Sequence, residues 1–154
     1  MTSADRGIEA SLAAYDRGQE RLRDAILIAC EADAELPAKV EAALRAALSL
    51  LASDPDLAHL LTVWPDRADT QLWQRRSEWQ RRYGELLRAA AADAGAPAPP
   101  FFLEPALIGG VIFVVASYVR VGRAKQLERL VPVARWYLLS SYMSADDMAR
   151  LAIA

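Results

Sequence analysis

Leu48-Ser49-Leu50-Leu51-Ala52-Ser53-Asp54-Pro55-Asp56-Leu57-Ala58 reads as the end of one helix set against the start of the next. Upstream, Val40, Leu44, Ala47, Leu48 and Leu51 recur at three-and-four spacing, the period of one helical face. Ser53-Asp54-Pro55 then stops one helix and opens another. An aspartate at such a boundary can accept free backbone amides, and a proline in a first turn has no intrahelical amide bond to lose. Leu57, Leu60, Leu61 and Trp64 continue a short third helix until Trp64-Pro65 closes it. Alanine, leucine and arginine dominate, all strong helix formers. Runs alternating Val, Ile or Thr with polar residues are missing. The chain is predicted to be all-α.

The remaining segments follow the same period. A first helix is predicted from about Asp5 to about Ala34, with Ile8, Leu12, Tyr15, Leu22 and Ile26 on one stripe and Gln19 filling a gap in it. Leu36-Pro37 ends it, because the residue before proline is pushed away from helical dihedrals. Pro37 then opens the second helix, to about Ala52. Asp66 begins a long fourth helix reaching about Ala94, with Leu72, Trp79, Tyr83, Leu86 and Leu87 on one side. Gly95 to Pro100 is a loop, too rich in proline for helix and too short for a domain boundary. Pro105 opens a fifth helix to Val121, apolar nearly all round, so it needs cover on more than one side. After Gly122 a sixth helix is expected from about Arg123 to Met143, bent at Pro132 or entered there by an early turn. Ser144 with Asp146 and Asp147 reads as the cap of a terminal helix. The expectation is one bundle of about six to seven helices, a single domain over residues 1–154.

Composition narrows the function classes. Of the 154 residues 54% are hydrophobic and 25% charged, a globular balance. A formal net charge of −2 argues against a general nucleic-acid or anionic-membrane surface. Arg75, Arg76, Arg81, Arg82 and Arg88 interleave with Trp73, Trp79 and Tyr83 and could form an RNA-stacking stripe. A solvated helix face beside a buried aromatic one gives the same pattern and is preferred. The single cysteine, Cys30, permits no internal disulfide and suits a reducing compartment. No apolar signal core follows Met1, and the longest apolar run, Ala106 to Val119, is shorter than the ~20 residues a membrane span needs. A buried helix, no membrane contact and a cytoplasmic protein are expected. The one histidine, His59, has no second His or Cys in a metal spacing, and neither a phosphate-binding loop nor a local triad occurs. No enzyme, no metal and no cofactor are expected.

The order of the pieces resembles the effector-binding and dimerisation part of the TetR/AcrR family of transcriptional regulators. Leu48 to Ala58 is similar to that family's "L-x-x-L-A-x-x-P-E-L-A" junction, and Ala106-Leu107-Ile108-Gly109-Gly110-Val111 to the small-residue start of its penultimate long helix. Val121-Gly122-Arg123-Ala124 through Leu127 and Leu130-Val131-Pro132 resembles its turn into the last long helix. Glu9-Ala10-Ser11-Leu12-Ala13-Ala14-Tyr15-Asp16 is similar to the helix that follows the DNA-binding head. Where the family often ends in "P-Y-L-G", this chain has Ser141-Tyr142-Met143-Ser144.

The resemblance implies a pocket for a small, mostly apolar effector between the middle helices. Candidate wall residues are His59, Trp64, Trp73, Trp79, Tyr83 and Phe113, with Tyr15 and Cys30 from the first helix; simple core packing is the competing account of the aromatic set. It also implies a homodimer through the last two long helices, with Leu107, Val111, Val115, Leu127, Val131 and Leu138 as the interface. The departure is upstream. In the family three helices of roughly 45 residues carry the helix-turn-helix ahead of the Glu9-like position. Here eight residues precede Glu9, so operator binding carries over to no residue and no direct DNA binding by this chain is expected. An interaction protein without that head, pairing with itself or a full-length relative and needing no ligand, is the alternative.

Overall fold

The computed structural model describes residues 3–32, 35–64, 70–100 and 102–153. Among them there is no strand: the chain is an all-α bundle of seven helices. These are α1 (Ser3–Ala29), α2 (Leu36–Ser53), α3 (Pro55–Thr62), α4 (Thr70–Asp93), α5 (Leu103–Arg120), α6 (Val131–Leu139) and α7 (Ala145–Ile153). A 3-10 segment, Ala124–Leu130, joins α5 to α6.

The α2–α3 junction follows its sequence. Asp54 Oδ1 accepts the Leu57 amide at 3.0 Å, and its other oxygen accepts from Arg21 Nη1 at 2.9 Å, which ties the junction to α1. Ser144 Oγ likewise accepts the Asp147 amide at 3.2 Å ahead of α7. Other boundaries moved. α1 ends at Ala29 rather than near Ala34, because Leu36 itself belongs to α2 and Glu35 before it is extended. The chain therefore has to leave α1 early enough to reverse direction. α5 starts at Leu103, ahead of Pro105, a position where proline costs no helical hydrogen bond. The expected sixth helix is divided in two, since Pro132 cannot donate an amide bond and sits in the first turn of α6. The expected start of the fourth helix at Asp66 lies outside the described residues.

Contacts between elements fix their directions. Asp16 of α1 meets Arg75 and Trp79 of α4, and Gln19 meets Tyr83, so α1 and α4 run side by side in the same sense. Cys30, just past the end of α1, touches Lys39 of α2 and Arg21 meets Asp54, so α2 runs back along α1. α5 crosses α4 at Gly84, where an added Cβ would stand 3.2 Å from the Cβ of Glu104 and from the amide nitrogen of Pro105. Glu104 is buried there and accepts two bonds of 3.0 Å from the Arg88 guanidinium. Arg135 of α6 pairs with Glu41 of α2.

Two expectations about α5 and α6 are corrected by this packing. α5 is not covered all round: 22% of it is buried, and Phe113 and Val114 face outward. Its length and its mean hydropathy of 1.5 would let it cross a membrane, the one described helix of which that is true. Of the residues expected at a dimer interface, Leu107, Val115, Leu127, Val131 and Leu138 are buried by this chain's own helices, and Val111 is half-buried. An apolar stripe reports that a face is covered, not what covers it. The outward apolar side chains of this region are instead Phe113, Val114, Val133, Trp136 and Tyr137.

Candidate functional site: an apolar cavity among four helices

A cavity of about 350 Å³ lies between α1, α2, α4 and α5, with Leu61 and Thr62 of α3 and Leu138 of α6 completing its lining. Each helix turns its inward stripe to it: Leu22 and Ile26 from α1, Val40, Leu44 and Leu48 from α2, Leu86 and Leu87 from α4, Ile108 and Val115 from α5. Four alanines, Ala43 and Ala47 on α2 with Ala89 and Ala90 on α4, share the wall. Leucines at those positions would fill the space to ordinary interior density; alanines leave it open.

The two ends differ chemically. The inner end is a closed polar group. Gln19, 5% exposed, donates from Nε2 to the Tyr15 hydroxyl at 3.0 Å, and the Tyr83 hydroxyl donates to Gln19 Oε1 at 2.9 Å. Burial pushes the Tyr15 phenol up to about 12 and the Tyr83 phenol higher still, so both stay neutral donors at ordinary pH. The outer end is formed by the close of α1, the first turn of α2 and the last residue of α4. Cys30, Lys39 and Asp93 line it, and the exposed wall residues Leu27, Ala89 and Asp93 mark it as the mouth. The Cys30 thiol lies 3.6 Å from the Lys39 carbonyl oxygen. Burial raises its pKa, against a smaller pull from the Lys39 charge, so it rests as a thiol and not as a nucleophilic thiolate.

Of the residues singled out in the sequence, Tyr83 and Cys30 stand on this wall. Tyr15 is wholly buried one hydrogen bond behind it. Trp79, 3% exposed, is wedged between α4 and α1, its indole N–H donating to Asp16 at 2.9 Å, and it does not line the cavity. Trp64 is half-buried against the core and also off the wall. His59, Trp73 and Phe113 are exposed and face solvent. The period of each helix accounts for this: Trp73 lies off the Leu72–Trp79–Tyr83 stripe, and Phe113 sits opposite Leu107, Val111 and Val115.

The sequence candidates for the wall did not include Gln19, Lys39, Asp93 or the four alanines, although Gln19 and Ala47 lie on the inward stripes. A glutamine in an apolar stripe, four residues from a tyrosine, was the available signal for the inner end. Nothing local distinguishes an alanine that lines a void from one that packs closely. Among the described residues no three His, Cys, Asp or Glu side chains gather as a metal site would require. The wall can therefore hold an apolar molecule along its length and offer polar contacts at its ends. No protein-family model, no curated protein and no solved structure matches the chain.

Proposed function

We propose that this chain is the effector-sensing and dimerisation domain of a TetR-like transcriptional regulator, cytoplasmic, binding a small, mostly apolar molecule. The observation that carries the reading is the cavity. It is large enough for a small molecule, lined mainly by apolar side chains from six helices, with a hydrogen-bonded polar group at one end. The order of family-like segments from Glu9 onward supports the regulator class, and the resemblance places an effector pocket among the middle helices. The effector, not the chain's own charge, is the partner that matters here: a net charge of −2 supplies no general attraction for DNA phosphates.

Thermal melts of the chain against a panel of apolar compounds test it. A ligand at about 100 times its dissociation constant stabilises by about 2.7 kcal/mol through linkage. A panel that moves no melting temperature would leave the second reading, an interaction protein that pairs without ligand. That reading has its own observation: the outward Phe113, Val114, Val133 and Trp136 of α5 and α6. A gel shift by the chain alone that survives competitor DNA would count against both.

A further inference from the structure

The lining of the cavity is elongated along the helices. Its wall extends on α1 from Gln19 to Cys30 and on α4 from Tyr83 to Asp93, ~15 to 17 Å at the helical rise. On α2 it extends from Lys39 to Leu51, ~18 Å. The volume of about 350 Å³ along that reach has room for one linear chain lying lengthwise.

The ends decide where a head group goes. Within the inner end the Gln19 amide and the two phenols bond to one another, and the charged wall residues Lys39 and Asp93 stand at the other end, so an apolar tip can abut this group. At the mouth Lys39 is half-buried and has no ion-pair partner among the described residues, yet its charge is felt at the neighbouring Cys30 thiol. Asp93, the other charged wall residue, is exposed and solvated. An ammonium at an apolar rim gains more from an anion than a solvated carboxylate gains from a cation.

We infer that the cavity takes a single-chain carboxylate of about ten to fourteen carbons, tail toward Gln19 and Tyr83, carboxylate on the Lys39 ammonium at the mouth. This rests on the cavity being the effector site and names the class of effector. Lys39 is then the residue that distinguishes an acid from an alcohol of the same chain, and Ala47, midway along α2, sets the chain length.

Calorimetric titration of the full chain with dodecanoate, dodecanol, dodecyltrimethylammonium and adamantane-1-carboxylate, each below its micellar concentration, tests the inference. Dodecanoate should bind tightest. Lys39→Ala should weaken dodecanoate by about tenfold, leave dodecanol unchanged and leave the ligand-free melt unchanged, with Lys39→Arg restoring the acid. Ala47→Phe should shift the preferred acid to a shorter chain. Adamantane-1-carboxylate or the cationic amphiphile binding as tightly as dodecanoate, or Lys39→Ala without effect, would overturn it. If compact apolar compounds bind while linear ones do not, the inference falls and the effector reading stands. If neither kind binds, both fall.

Discussion

The indole of Trp79 donates to Asp16, lies under the Arg82 guanidinium at 4.7 Å from its ring centre, and leans on Tyr83 at 6.1 Å. It is a strut between α4 and α1, beside the cavity and not in it. Trp79→Ala should cost roughly 3 to 5 kcal/mol in a urea titration, as removal of a buried aromatic does elsewhere. Trp79→Phe should cost less, about 1 kcal/mol for the lost hydrogen bond, and should leave dodecanoate affinity intact. Tyr15 gives a pH prediction at the same scale. Its folded pKa is raised from 10.0 to about 12, mainly by burial, so its contribution is complete below pH 10 and is lost as pH rises toward 12. The urea midpoint should stay level through neutrality and fall over that window, and Tyr15→Phe should flatten the fall. An alkaline limb unchanged in the mutant would refute this assignment.

At the scale of elements, short polar contacts and small residues hold the helices in register. Asp54→Ala removes the acceptor for the Leu57 amide and the tie to Arg21, and should destabilise by about 1 kcal/mol in a thermal melt. The α4–α5 crossing is less forgiving. At Gly84 a side chain meets the backbone of Pro105 rather than a flexible tip, so Gly84→Val should cost about 1 to 3 kcal/mol. The same crossing carries Glu104. Burial pushes its carboxyl up, but the paired bonds from Arg88 and a backbone contact outweigh that and hold it below the ordinary 4.5. A depressed carboxylate stabilises the fold above its unfolded pKa and ceases to as pH falls through the folded one. Stability should therefore drop below about pH 4.5, and Glu104→Gln should blunt that drop.

For the whole molecule, the outward apolar face is the place to test association. Tyr137 of α6 packs over Gly110 of α5, where an added Cβ would stand 2.6 Å from its hydroxyl oxygen. Phe113 and Val114 lie one turn along α5 from that glycine, and Val133 and Trp136 flank Tyr137 on α6. If this face joins two copies, Trp136→Glu should give a monomer by light scattering with the helical spectrum retained. Val131→Arg is a different experiment: Val131 is 3% exposed inside the chain, so a charge there should unfold the protein by several kcal/mol. A Trp136→Glu chain that stays dimeric would place the contact elsewhere.

What the sequence determined by itself was the class, the approximate number of helices and, for α1, α2 and α4, which face turns inward. Those follow from local rules: apolar period, capping residues such as Asp54 and Ser144, and prolines that cannot continue a helix. The same rules gave Leu44, Leu48, Leu87 and Tyr83 their inward side, whereas Cys30 came only from the family resemblance. What tertiary structure alone decided was whether that interior is filled. Ala47 and Ala90 read as positions of closely packed inward stripes, and Ala43 as an ordinary helix former, until α2 and α4 are set opposite one another. Lys39 and Asp93 read as surface charges until the ends of three helices meet at one mouth. The interface stripe went the same way: the period that marks Leu127, Val131 and Leu138 as covered is identical whether the cover is α2 of this chain or a second copy. Helical period is a property of one element, whereas a void and its mouth depend on the separation and direction of several, which no local pattern encodes.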